Sequence, residues 1–379
     1  MKVLVLYDTT SPGGIATQGA LLHQGLLGLG VDVQGVHFES PQEKEWYYRW
    51  FKPDIVVGVG YWGHTPHLVS HPQRYGVQPV PWLVADGYIV HYHEALNALP
   101  LILVTSNWVK KTYIRDGIKG DNIEVLPVGC DTDSFVPRDL SDPKVAAIRE
   151  TLGIPPDQLM ILTVGGDAAS KGSQEMMHAL STIDVEAPDW KYVCKVWPQP
   201  RTEAQNLVDL QLATHLGIDK NVMYTIGVVS RKFMPYLLAA CDIYASPSRL
   251  EGFGMPAIEA NACEKPVLAI SAMGFLDTMQ HKKTALLAKI STKIVINETI
   301  VGEESGSERG HRIIFDKPRV VDYRASIYDI AEYLLTLMND SSLRKKMGEA
   351  GRKRVVEHYD YRVVAKKFID IVSNKLGIS

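Results

Sequence analysis

The chain has 379 residues, 46% of them hydrophobic and 22% charged, with a formal net charge of −3. That length exceeds what one hydrophobic core usually supports, so two domains are expected, and the balance of charge excludes both the basic field of a nucleic-acid binder and an acidic tail. The four cysteines, Cys130, Cys194, Cys241 and Cys263, show no CxxC spacing and three lie in apolar runs, which favours reduced core thiols over disulfides or zinc.

Residues 1–7 form an apolar strand that runs straight into a glycine-rich loop, unlike a cleavable leader, and no run is long enough for a spanning helix. The expectation is a cytoplasmic enzyme, the inner face of the membrane being the other location considered. Strands at 2–7, 32–37 and 54–59 alternate with a helix-period stretch at 15–29, the pattern of a doubly wound parallel sheet. Gly13 and Gly14 lie between the first strand and helix, where open α/β sheets bind ligands.

Gly58 to Gly63 spells GxGxxG with Asp86 at a ribose-contact distance, but Pro66 and Pro72 follow closely and the motif is not on the first βα turn. A nicotinamide-linked dehydrogenase is therefore a poor fit. His64, His67 and His71, with His91 and His93, invite a metal site; without a nearby cysteine, and with prolines breaking the helical spacing, they read as polar loop histidines and no metal is expected. His64 is retained as a candidate acceptor-pocket residue. The aromatic run 46–51 and the cations Lys110, Lys111, Arg115 and Lys119 have a composition suited to anionic lipid headgroups, against the plainer reading of a packed cluster and a solvated helix face.

The polar segment 140–156, with Pro143, Pro155 and Pro156, reads as a connection between domains 1–142 and 155–355. A second α/β unit follows. Its first loop ends in Lys171-Gly172 and is not a Walker A loop, because the lysine precedes its glycine. Lys195 ends the next strand and Arg201 follows it. After a strand at 221–226 and a helix at 233–240 comes SPSRLEGFGMPAIEANA, residues 246–262. Pro256 suits a first helical turn, so Glu251 falls on a loop and Glu259 on a helix. Gly252 and Gly254, around Phe253, let a backbone approach a ligand, and the helix-start N–H groups suit an anion such as a diphosphate. The stretch describes a site for something both phosphorylated and rich in hydroxyls; the two carboxylates could instead suggest a hydrolase pair.

These residues carry a resemblance. Pro247-Ser248, Glu251, Phe253-Gly254, Glu259-Ala260 and Pro266-Val267 resemble the PS…E.FG….EA….PV signature of glycosyltransferase family 4, and Ser106, Gly129, Asp131, Phe135, Pro137, Lys171, Gly172, Tyr236, Asp242 and Gly274 match its wider pattern. The resemblance implies a GT-B architecture of two facing Rossmann-like domains with an interdomain cleft, the last helix, 360–379, crossing back to complete the first. It implies a retaining transferase that moves a sugar from a UDP, GDP or ADP sugar to a sugar, lipid-linked or small-molecule acceptor, with no cofactor or metal.

Residue by residue, the resemblance makes Glu251, Lys171 and Asp86 the candidate catalytic group. Gly14, Gly166, Lys171, Lys195, Glu251, Gly252, Phe253, Gly254 and Glu259 are the candidate donor-binding residues, and Gly13 and His64 the acceptor-side ones. Three departures stand out: Asp86 lies near where the family carries a histidine, Gly166 replaces a phosphate-binding arginine, and 289–321 reads as an inserted hairpin or mobile loop. Lys195 and Arg201 are the candidates to replace the missing cation. The first two departures keep open a non-catalytic sugar-nucleotide-binding protein; an epimerase or phosphorylase on the same architecture is the other alternative.

Overall fold

The computed structural model describes residues 1–10, 13–85, 87–198, 204–302 and 310–378. In chain order the elements are β1 (Lys2–Tyr7), α1 (Gly14–Gly28), β2 (Asp32–His37), α2 (Pro41–Trp50), β3 (Ile55–Tyr61), α3 (His71–Arg74), β4 (Gln78–Val84), α4 (His93–Asn97), β5 (Ile102–Val104), α5 (Asn107–Arg115) and β6 (Ile123–Val125). There follow α6 (Pro143–Thr151), β7 (Leu159–Gly166), α7 (Ser173–Ile183), β8 (Trp190–Trp197), α8 (Gln205–His215), β9 (Val222–Ile226), α9 (Met234–Ala240), β10 (Ile243–Ser246), α10 (Met255–Ala262), β11 (Val267–Ile270), α11 (Phe275–Thr278) and β12 (Ala285–Ala288). The chain ends in β13 (Ile290–Val301), β14 (His311–Ala325), α12 (Ile327–Asn339), α13 (Ser341–His358) and α14 (Tyr361–Leu376).

The chain divides into two compact units. Unit 1 is Met1–Gly129, Val295–Val321 and His358–Ser379; unit 2 is Cys130–Ile294 and Asp322–Glu357. The division falls before the proline-rich connection that the sequence suggests, and the outer part of the inserted segment goes with unit 1 instead of with the unit whose chain it interrupts.

Unit 1 is a six-stranded parallel sheet in the order β2-β1-β3-β4-β5-β6. Its central strands are apolar along their whole length because helices cover both faces: Val3 to Leu6 and Ile55 to Val57 are fully buried. α14 packs on α1, where Gly25 leaves room for the Tyr361 carbonyl; a Cβ there would sit 2.7 Å from that oxygen. β13 and β14 pair as a two-stranded arm. Its outer half is fixed within unit 1. Val301 is buried in the core cluster, Thr299 and Tyr88 hydroxyls lie 2.9 Å apart, and Arg319 pairs with buried Asp116 at 2.7 Å. The tip, Glu303 to Arg309, lies outside the described residues.

Gly58 and Gly60 serve packing, not phosphate binding. They lie inside β3, and a Cβ on them would meet Leu68 at 2.6 Å and His64 Nδ1 at 2.5 Å. Pro66 and Pro72 do not break the following chain as expected. Each stands in the first turn of a short helix, Pro66 in a π-helical turn over Pro66–Ser70 and Pro72 in α3, where its missing N–H is not needed. Within α2, Trp46 and Trp50 stack at 4.9 Å and stay more than half exposed, while Tyr48 turns inward.

Unit 2 is a second six-stranded parallel sheet, β12-β11-β10-β7-β8-β9. α7 packs with α8, α9 with α10, and α6 beside α9, and with this strand order the general right-handedness of parallel crossovers puts the α7/α8 pair and the α9/α10 pair on opposite faces. All four cysteines are free and buried.

Candidate functional site

Two loops meet above the carboxyl ends of β7 and β10. The first, Asp167 to Gly172, closes with a 3-10 turn, Ala169–Lys171, and Gly172 adopts φ +73°. A Cβ on Gly172 would stand 2.2 Å from the Pro247 carbonyl oxygen, so a glycine is what lets this loop press against the second, Pro247 to Gly254. Gly254 is the N-cap of α10 at φ +88°, and Pro256 stands in the first turn. A glycine is required here too, because a Cβ would strike the Phe275 ring at 2.6 Å.

The side chains converge on that junction. Glu251 accepts from the Gly254 N–H at 3.1 Å and pairs with Lys171 Nζ at 3.3 Å, so one carboxylate bridges the only long cation of the first loop and the start of a helix. Glu259, one turn further into α10, is 3% exposed and pairs with Arg231 at 2.7 Å. Burial pushes the Glu259 carboxyl up from the usual range, and the Arg231 guanidinium works against that shift. Arg231 also lies over the Phe135 ring, 5.0 Å from its centroid. Gly252 and Phe253 fill the turn between the two glutamates; a Cβ on Gly274 would meet the Gly252 carbonyl at 2.3 Å, which shows how tightly that turn is held.

Below the junction lies an ion pair that the sequence does not announce. Arg249 donates through Nε to Glu175 of α7 at 3.1 and 3.2 Å and through a terminal nitrogen to Gln174 at 3.0 Å. Both charged side chains are at most 7% exposed. The Arg249 backbone N–H also donates to the Ser170 carbonyl at 2.7 Å, and the Tyr323 N–H donates to the Arg249 carbonyl at 2.8 Å. Arg249 therefore locks both loops and the base of the arm to one helix.

Lys195 is placed elsewhere. It pairs in register with Val164 on β7, whereas Lys171 packs over the next residue, Gly165, and successive strand residues face opposite sides of a sheet. Lys195 thus points to the α6/α9 face, and its ammonium donates to the carbonyls of Val196 and Gly227. It does not supply the cation that Gly166, the last residue of β7, lacks. Arg201 and Asp86 lie outside the described residues.

In unit 1, Gly13 caps the start of α1, which begins at Gly14. His64 lies 4.7 Å from the tilted Phe38 ring and meets Tyr61 edge-on at 4.3 Å, and burial, with His67 nearby, pushes it down to about 4, so its imidazole is neutral near pH 7. Among the described residues no three His, Cys, Asp or Glu side chains cluster closely enough to hold a metal ion. No described helix is long and apolar enough to cross a membrane.

The loops at Lys171 and Glu251 both fall inside a recognisable region. Residues 144–314 match the family model described as glycosyl transferases group 1. Curated relatives match over longer stretches. The D-inositol 3-phosphate glycosyltransferase of Acidothermus cellulolyticus is 30% identical over 273 residues, 66% of this chain and 58% of that protein. The mannosylfructose-phosphate synthase of Agrobacterium fabrum is 27% identical over 238 residues, 59% of this chain and 51% of that protein. The chain spans between half and three-fifths of the length of these curated relatives.

Solved structures match throughout. The sucrose-phosphate synthase of Thermosynechococcus elongatus superposes with a TM-score of 0.75 at 16% identity, covering 100% of both chains. The Anabaena HepE protein, solved with UDP and glucose, gives 0.73 at 15% identity over 99% of this chain and 100% of that one. The two parallel sheets with their helices are a GT-B fold.

Proposed function

We propose that the protein is a retaining glycosyltransferase that moves a hexosyl group from a nucleoside diphosphate sugar to an acceptor hydroxyl. The observation that carries this reading is the Glu251 carboxylate spanning Lys171 and the Gly254 amide, with buried Glu259 paired to the partly exposed Arg231 one helical turn away. A cation and helix-start amides converging on one spot suit a diphosphate, and two carboxylates beside it suit sugar and ribose hydroxyls.

In this reading Glu251 accepts from donor-sugar hydroxyls and Glu259 from the ribose. The acceptor oxygen attacks the anomeric carbon from the leaving-group face, the bond from that carbon to the diphosphate oxygen breaks, and the acceptor proton leaves with the diphosphate. Lys171 and the first amides of α10 stabilise the charge that develops on the leaving group, already oriented before the bond breaks. Gly13 and His64 are assigned to the acceptor side; at neutral pH His64 offers an uncharged imidazole.

UDP-glucose, GDP-mannose and ADP-glucose, each added at a hundred times its dissociation constant, would stabilise the fold by about 2.7 kcal/mol if bound. The expected result is a thermal shift with one of them and slow release of free nucleoside diphosphate. A shift with no release, with or without acceptors, would make the protein a sugar-nucleotide binder. No shift with any would end the reading.

Arg231 gives a pH test. Because burial raises the Glu259 pKa, its carboxylate form grows only as pH rises through that raised value, and UDP affinity is expected to fall as pH drops through it. Arg231→Met removes the opposing charge, so the midpoint of that fall should move to higher pH, with affinity recovered in alkali. The sign for stability is opposite: a carboxyl with a raised folded-state pKa stabilises most below its unfolded value and loses that contribution as pH rises. Calorimetry with UDP from pH 5.5 to 8.5 measures the midpoint; a loss equal at every pH would mean that Arg231 contacts the ligand directly.

A further inference from the structure

On the opposite face of unit 2 from Lys171 lies a groove of about 640 Å³ between α6, the start of α9 and the ends of β8 and β9. The volume is that of a small-molecule site. Its wall is apolar: Ile148 of α6, Ile226 and Phe233 are among the residues that form it, and Ile226 is left 56% exposed. Among the described residues its charged side chains are three lysines, Lys144, Lys195 and Lys232, and no aspartate or glutamate lines it.

Lys195 is the informative one. The residue is 4% exposed, yet its partners are the carbonyls of Val196 and Gly227, with no carboxylate at ion-pair distance among the described residues. A buried cation held only by dipoles keeps its net charge uncompensated, which an anion would relieve. Lys144 adds a second positive charge at the rim, held 4.8 Å over the Tyr236 ring and 3.2 Å from its hydroxyl. Lys232, which is exposed, adds a third.

We propose that this groove binds a single-chain amphiphile with an anionic head, the chain lying along Ile148 and Ile226 and the head meeting Lys195 and Lys232. Apolar walls and an unneutralised cation complement the two halves of such a molecule, whereas a free inorganic anion gains nothing from the wall and a neutral amphiphile gains nothing from the lysines. The groove shares no lining residue with the Lys171–Glu251 junction, and the proposal does not depend on the glycosyltransferase reading.

Calorimetry on the full chain below the micelle concentration tests it with dodecyl phosphate, laurate, dodecyl maltoside and inorganic phosphate. The expected result is saturable one-to-one binding of dodecyl phosphate and laurate, at least tenfold tighter than dodecyl maltoside, with none for inorganic phosphate. Ile226→Asp, at a position 56% exposed, should weaken both anions at least tenfold, and Lys195→Met should weaken them while narrowing the gap to the maltoside. UDP should neither compete nor change in affinity in Ile226→Asp. Equal binding of the neutral amphiphile, insensitivity to Ile226→Asp, absence of saturable binding, or displacement by UDP would each overturn the proposal; displacement would make the groove part of the nucleotide site.

Discussion

Glu259→Ala is expected to weaken binding of the free nucleoside diphosphate ten- to a hundred-fold, whereas Glu251→Ala should leave that affinity nearly intact and depress turnover by a similar factor. A hydrogen bond to a charged group contributes about 1.5–3 kcal/mol, which sets the range. The two effects separate because the residues sit differently. Glu259 is on α10, buried against Arg231, on the side assigned to the nucleoside; Glu251 is on the loop, one-fifth exposed, held to Lys171 and Gly254 on the side assigned to the transferred sugar. Each alanine also frees a cation. Losing Glu251 releases Lys171 to the diphosphate, which can only hold or raise nucleotide affinity. Losing Glu259 leaves Arg231 without its partner next to the site. Calorimetry with UDP or GDP, paired with turnover, decides: if Glu251→Ala loses the free nucleotide as severely as Glu259→Ala, the division of roles is wrong.

Arg249→Met should destabilise unit 2 by about 3–5 kcal/mol, the range for removing one partner of a buried ion pair, because Glu175 is left charged and 7% exposed with its counter-ion gone. Replacing both, as Arg249→Met with Glu175→Leu, should recover a substantial part, since what hurts is the unpaired charge and not the absence of the pair. Urea unfolding followed by hydrogen exchange in α7 and the 167–172 loop would separate this from a local effect. Equal loss in the single and double variants would mean that Arg249 acts through packing alone.

The local order of the chain is legible wherever burial on both faces makes a strand uniformly apolar. β1 and β2 are read at 2–7 and 32–37 and observed at Lys2–Tyr7 and Asp32–His37, and the last helix, expected at 360–379, is observed at Tyr361–Leu376. Glu251 on a loop and Glu259 on a helix follow from Pro256, whose fixed φ and missing N–H mark a first turn. What is illegible depends on pairing between distant positions. Arg231 and Glu259 are twenty-eight residues apart, Arg249 and Glu175 seventy-four, and nothing local distinguishes either arginine from a solvated one. Lys195 is an instructive middle case. Its alternation with Cys194 and Val196 is plain in the sequence, but which face of β8 looks toward Lys171 is decided only by the register with Gly165. The inserted segment is recognisable as a hairpin; that Val301 completes the core of unit 1 is not, because an alternating strand pattern does not say whose core it enters.

The way the arm and α14 are shared out bears on synthesis. Unit 1 takes its core from three separated stretches of chain, the second emerging after most of unit 2 and the third after all of it. A nascent chain that has reached Gly129 has made all six strands of the first sheet but lacks both Val301 and the α14 face that packs on α1. Unit 2, once Glu357 is out, has every segment it needs. The order of maturation is therefore reversed with respect to the order of translation: the later unit can finish first, and the earlier one waits with apolar surface open until α14 arrives, the interval in which a holdase chaperone has most to protect.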